Sequence, residues 1–267
     1  MLQQTQVERV IPPFERFVAR FPSFAALAAA PQAEVVRAWK GLGYNSRAVR
    51  LHRLAREVHE RFEGRLPRDE TELRNLPGVG PYTARAIRAF VFGDDVLAPD
   101  VNVRRVVERT QFGLEWPARR KARDIDAAGA DLVPTGRAFD FNSALMDLGA
   151  SLCTARAPKC LLCPLQRSCA AAPVDPARLA ALAALRAPAR GPQARRPFEE
   201  TTRYVRGRVI DRLRELAPGE RISLLDLRGS LAEALPDRDQ ASFEAIVRAL
   251  TGEGLVEEGE RGLRLAE

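Results

Sequence analysis

Four cysteines fall in one stretch, CTARAPKCLLCPLQRSC, and the chain has no others. Cys153, Cys160, Cys163 and Cys169 are separated by six, two and five residues, so both ends of a 17-residue loop must reach one point. In a reducing compartment such a cluster argues for metal ligation rather than disulfides. Zinc loops usually pair two short Cys-x-x-Cys knuckles, and only Cys160 and Cys163 form one here. Four thiolates with no His nearby also suit a cubane [4Fe-4S] cluster, the preferred reading of this donor set, with zinc as the competitor.

Upstream of that loop the periodicity is helical and the breaks are short turns, among them Gly41-Leu42-Gly43 and Pro77-Gly78-Val79-Gly80. No convincing period-two strand interrupts it, which predicts an all-α core. Val7, Val10, Ile11, Phe14, Phe17, Val18 and Phe21 place an amphipathic helix at the very start, already in stride at Leu2 and without a capping residue before it. Residues 173–198, rich in Pro, Ala and Arg, read as a linker carrying one short helix from about Pro176. Residues 199–267 read as three helices and a terminal hairpin, a small winged-helix-like unit.

Lys and Arg total 42 against 35 Asp and Glu, a net charge of +7, which favours a polyanionic partner unless it reflects genome composition alone. No apolar run is long enough to span a bilayer and no signal sequence opens the chain, so a cytoplasmic monomer without membrane contact is expected.

Two further stretches carry chemistry. In LPGVGPYTARAIRAF, Gly78, Val79 and Gly80 make a tight turn ahead of a helix, with Pro81 suited to its first position. The free N–H groups of such a turn suit one DNA phosphate. In LAPDVNVRRVVERT, Asp100 suits an N-cap of the helix that follows; Arg104 and Arg105 suit phosphates or surface pairing with Glu108.

Taken together, the six-two-five cysteines, the Leu-Pro-Gly-Val-Gly turn and an Asp about 20 residues after it resemble the helix-hairpin-helix DNA glycosylase superfamily over residues 1–172. The match is best with the branch that removes adenine from A/G mismatches. The resemblance implies a helix-hairpin-helix core with an iron–sulfur loop, acting on double-stranded DNA. Asp100 would be the carboxylate that stabilises the sugar cation formed when an N-glycosidic bond breaks. Asn102 would support it, and Gly78, Val79, Gly80 and Arg104 would meet phosphates.

Tyr82 stands where strand-cleaving relatives carry a Schiff-base Lys, which implies a monofunctional enzyme. Gln3, Gln4 and Thr5 resemble a Leu-Gln-Gln-Thr run that contacts the duplex near the extruded base. Tyr44, in GLGYN, matches a wedge aromatic that parts the duplex, although Asn45 replaces the second aromatic common there; its plainer reading is a packing residue. In the adenine branch a Glu two residues before the position of Met1 protonates the purine, so an in-frame start upstream is expected. The resulting expectation is hydrolysis of mismatched adenine opposite guanine or 8-oxoguanine. The alternatives are a T:G mismatch thymine glycosylase, or a non-catalytic DNA-binding relative lacking that Glu.

Overall fold

The computed structural model describes residues 1–2, 5–116, 120–186, 197–234 and 239–267. Among them run α1 (Val7–Arg20), α2 (Phe24–Ala29), α3 (Gln32–Ala38), α4 (Ser46–Arg61), α5 (Glu70–Asn75), α6 (Pro81–Phe90), α7 (Val101–Phe112), α8 (Ala122–Leu132), α9 (Ala138–Ser151) and α10 (Pro176–Arg186). They are followed by α11 (Thr202–Arg214), α12 (Leu224–Ser230), α13 (Gln240–Gly252) and the antiparallel strands β1 (Val256–Gly259) and β2 (Gly262–Leu265). No described helix is long and apolar enough to cross a membrane.

Side chains cap α2, α12 and α13. The hydroxyls of Ser23 and Ser223 accept from the N–H groups of Ala26 and Asp226, and the Asp239 carboxylate accepts from Ser242 N, each satisfying a donor with no partner inside its helix. The terminal hairpin forms in the expected place, with Val256 opposite Leu265 and Gly259 opposite Gly262. Gly262 has φ +113°, and a Cβ there would run into the Ile222 carbonyl, so the turn needs glycine.

The opening helix departs from expectation. It begins at Val7 rather than Leu2, with Gln6 at its N-cap and no side-chain cap. It buries Val10, Pro13 and Phe17, while Val7, Ile11, Phe14 and Val18 stand exposed. The apolar stripe is wider than the single ridge that packs inward.

The chain divides into two compact units, and not at the expected boundaries. One comprises Met1–Leu66, Leu76–Gly78 and Pro192–Glu267; the other comprises Pro67–Asn75 and Val79–Gly191. In the first, Val35, Val36 and Trp39 share one hydrophobic cluster with Val205, Val209, Ile210 and Leu250. Gln32 Nε2 donates to Gly254 O at 2.6 Å, and Arg214 Nε donates to Val36 O at 3.1 Å. The C-terminal residues therefore complete the core of the first helices instead of forming a separate domain. Nor is the segment after residue 172 a simple linker: Leu179 of α10 is buried with Ala171 and Val174, against Trp116. The rest of the expected linker, residues 187–196, lies outside the described residues.

The second unit centres on α7, whose Val103, Val106 and Val107 pack with Leu97, Ile125 and Leu145. Gly129 of α8 sits so close to this core that a Cβ would lie 2.7 Å from Leu97 Cβ. That approach brings α8 against the segment leading into Asp100.

Candidate active site

Asp100 is the N-cap of α7, and one carboxylate oxygen accepts from Asn102 N at 2.9 Å and Val103 N at 2.7 Å. The other accepts from Asn102 Nδ2 at 3.2 Å. Capping fixes the rotamer, while the residue remains only partly buried, so its charge has a defined position and is open to an incoming group. The segment before it is held from behind. Asn142, fully buried in α9, accepts from Ala98 N at 2.8 Å and donates to Val96 O at 3.0 Å and Ala138 O at 2.8 Å.

Tyr82 lies in the first turn of α6 and is half-exposed. Burial first, and the nearby Asp100 charge second, push its phenol above the usual tyrosine range. Near neutral pH it is therefore an uncharged hydroxyl in the field of that carboxylate, able to donate a hydrogen bond. Arg85, one turn further along α6, forms a two-pronged ion pair with Asp126 of α8 and also reaches Glu70 at 3.3 Å, which fixes the helix that carries Tyr82.

At the start of α6, Gly80 is the N-cap, Pro81 follows and no side chain caps the helix. Gly78 has φ +81°, which favours glycine, and a Cβ there would sit 3.2 Å from Arg50 Cβ. Val79 is buried, so the hairpin is anchored by its middle residue while its glycines keep the backbone bare.

The two arginines after Asn102 have distinct surroundings. Arg104 pairs with the buried Glu108 at 3.2 Å, the surface-pairing alternative for this residue, with its acid turned inward. Arg105 is buried, and its guanidinium donates to Asn102 Oδ1 at 2.9 Å, Gly149 O at 2.6 Å and Cys153 O at 2.7 Å. Burial pulls its pKa down, opposed in part by Cys153 and Asp100. Gly149 permits this arrangement, since a Cβ would lie 2.8 Å from Asn102 Cβ. One turn on, Arg109 donates to Thr154 O at 2.7 Å, Ala155 O at 3.1 Å and Cys153 Sγ at 3.3 Å.

All four cysteines line one cavity, together with Arg109 and Lys159. The loop closes on α7 at its far end, where Ala170 N and Ala171 N donate to Thr110 O and Arg109 O, both at 3.1 Å. A single four-thiolate zinc would draw its sulfurs to within about 3.8 Å of one another. Among the described residues no three His, Cys, Asp or Glu side chains stand close enough to hold one ion. Four thiols line one cavity and an arginine is directed at one of the sulfurs, a donor set whose chemistry fits an anionic, thiolate-held cluster. Burial raises the Cys169 thiol pKa, a cost that a bound metal would reverse.

The first unit holds Thr5 and Tyr44. Arg47 gathers their segments, donating to Met1 O at 2.8 Å, Thr5 Oγ1 at 3.2 Å and Leu42 O at 2.9 Å. Trp39 Nε1 donates to Gly43 O at 3.2 Å, pinning the Gly-Leu-Gly turn. Tyr44 itself has φ +46°, a left-handed conformation that costs a non-glycine residue roughly 1–2 kcal/mol, and the residue is 41% exposed. Gln3 and Gln4 lie outside the described residues.

Residues 1–135 match the model of the HhH-GPD superfamily base excision DNA repair proteins. The chain belongs to this superfamily. It is 39% identical over 265 residues to the adenine DNA glycosylase of Mycolicibacterium smegmatis, covering 95% of this chain and 86% of that one. Among solved structures it resembles a thermostable thymine-DNA glycosylase at 32% identity and TM-score 0.59, over 64% of this chain and 79% of that one. It also shares the fold of a non-covalent endonuclease III–DNA complex, at 24% identity and TM-score 0.55, over 64% and 78% of the two chains. For an HhH-GPD protein the capped Asp100, the bare hairpin and the cysteine loop thus stand on a fold of the expected class.

Proposed function

We propose that this chain is a monofunctional DNA glycosylase that hydrolyses the N-glycosidic bond of adenine opposite guanine or 8-oxoguanine. The observation that carries the chemistry is Asp100, a carboxylate fixed by two backbone amides and Asn102, with the neutral Tyr82 hydroxyl in its field. As the bond from C1′ to the base breaks, its electrons leave with the base and positive charge builds on the sugar. A preplaced carboxylate stabilises that charge most in the transition state. Water then adds at C1′ and releases a proton to solvent, the departing adenine takes one up from solvent, and neutral adenine and an abasic site remain. A phenol has no amine with which to form a Schiff base, so Tyr82 supports base release without strand cleavage.

In this reading the N–H groups around Gly78, Val79 and Gly80, with Arg104, take phosphates, Gln3, Gln4 and Thr5 meet the duplex near the target, and Tyr44 wedges into it. Cys153, Cys160, Cys163 and Cys169 hold a [4Fe-4S] cluster, which when bound cross-links the loop and supplies a one-electron couple. The adenine assignment rests on the M. smegmatis relative, whose match extends over the C-terminal residues as well as the core.

The likeness to a thymine-DNA glycosylase favours a second reading, release of thymine from T:G mismatches. Duplexes carrying A:G, A:8-oxoguanine or T:G separate the two. Incubation with the protein followed by hot alkali should break the adenine strand, and omission of the alkali should leave it whole. Thymine release without adenine release would overturn the first reading. Binding with no base released from any duplex would instead support a non-catalytic relative.

A further inference from the structure

Tyr44 does not stand alone in the first unit. The Arg203 guanidinium of α11 lies 4.3 Å from its ring centroid, and that of Arg47 lies 5.7 Å away. Asn45, the residue that departs from the two-aromatic pattern, accepts from Arg214 Nη2 at 2.8 Å. Arg214 is itself nearly enclosed, bound to Val36 O and to Asp211 at 2.6 Å. The substitution at 45 thus joins the wedge turn to a C-terminal helix instead of leaving it unsupported.

Beside this junction runs an open cleft of about 700 Å³. Its lining includes Arg9, Arg203, Arg206, Arg208 and Arg214 against one acid, Asp211. Arg214 and Arg206 are neutralised by Asp211 and Glu253. Arg203 and Arg208 are exposed and make no ion pair with any described residue. Unpaired guanidinium groups flanking an exposed, arginine-stacked tyrosine combine a backbone-tracking charge with a π-face for a base.

We propose that this cleft binds a DNA strand, with Arg203 and Arg208 on phosphates and Arg203 also positioning Tyr44 to stack on a base. The C-terminal residues then belong to the duplex-parting apparatus. This rests on the glycosylase reading for the identity of the polymer, but its test does not use base release.

Binding of the intact protein to a labelled mismatch duplex is measured over a series of KCl concentrations, with 2-aminopurine beside the mismatch reporting unstacking. Each lost phosphate contact reduces the log–log salt slope by about 0.9, which corresponds to about a 5-fold weaker binding at 0.15 M salt. Arg208→Gln and Arg203→Gln should each show that change. Arg203→Gln should also lose most of the 2-aminopurine rise, a signal that Arg208→Gln retains. Arg208→Lys should keep the wild-type slope, and Arg56→Gln, on an exposed part of α4, should match wild type throughout.

The proposal falls if either glutamine variant keeps the wild-type slope, if Arg208→Lys loses as much as Arg208→Gln, or if Arg203→Gln leaves the fluorescence rise intact. Altered slopes in a protein that releases no adenine would support the cleft and overturn the adenine reading. Adenine release with unaltered slopes would do the reverse.

Discussion

Arg109, 1% exposed, directs Nη1 at Cys153 Sγ from 3.3 Å and at Thr154 O, while Nη2 donates to Ala155 O. It also donates to Glu115 O at 3.0 Å, so one side chain ties the loop's first cysteine to the turn beyond α7. Replacing it with leucine removes the donor from several partly buried carbonyls, each costing up to about 1–3 kcal/mol when unsatisfied. Arg109→Leu should lower the melting temperature, and the purified variant should carry less iron per chain and less visible absorbance than wild type. Full iron content with unchanged melting would remove the arginine from its assigned place.

The role of Asp100 divides into a cap and a charge. Asn keeps an oxygen for Asn102 N and Val103 N, so Asp100→Asn should melt within about 1 kcal/mol of wild type. Without the negative charge, single-turnover base release should fall by a factor on the order of a thousand while the DNA dissociation constant stays near wild type. A variant that still releases base at the normal rate would show that another group stabilises the sugar.

Gly149 tests how closely α9 must approach. An alanine Cβ would be 2.8 Å from Asn102 Cβ and 3.1 Å from its backbone oxygen, so the helices must separate. Gly149→Ala should cost about 1–3 kcal/mol of stability. It should also slow base release more than it weakens DNA binding, because the shift falls on the Asn102 that braces Asp100. Equal losses in both would assign the damage to folding alone.

His52 gives the fold an acid limit. It is buried in α4 and its Nε2 has no partner among the described residues; burial, aided by Arg56 and Arg53, lowers its pKa, with contacts to the Ala30 and Ala28 carbonyls opposing. The unfolded chain therefore takes up a proton at higher pH than the folded one. Stability should be full above about pH 6.5 and decline as pH falls through that value. His52→Gln should flatten the decline in melting temperature between neutral and mildly acidic buffer, and an unchanged decline would point to other groups.

Local signals in the chain were legible. Cysteine spacing brings four thiols to one cavity, Asp100 and Pro81 mark the starts of α7 and α6, and the terminal hairpin lies within the residues expected to hold it. The supports behind Asp100 were not legible, for a physical reason: Arg105 and Arg109 sit among the charges of VNVRRVVER, and a solvated arginine and a buried one look identical along the chain. A usable signal did exist on α9. Ala138, Asn142, Leu145 and Gly149 recur at helical spacing on one buried face, and a polar amide and a glycine in that stripe mark a bond and a close approach. The packing of α11 against α3 had no local signature at all, since it joins residues some 170 positions apart.

That long-range packing also decides how the chain can be dissected. Removing residues after 197 would strip Val35 and Val36, both fully enclosed, of the α11 side chains in their cluster, and would leave the Val36 carbonyl without Arg214. A shortened protein would then be sticky and poorly expressed for reasons unrelated to lesion choice. Surgical point changes on the outer face of α11, rather than deletions, are the instrument that can tell recognition from collapse.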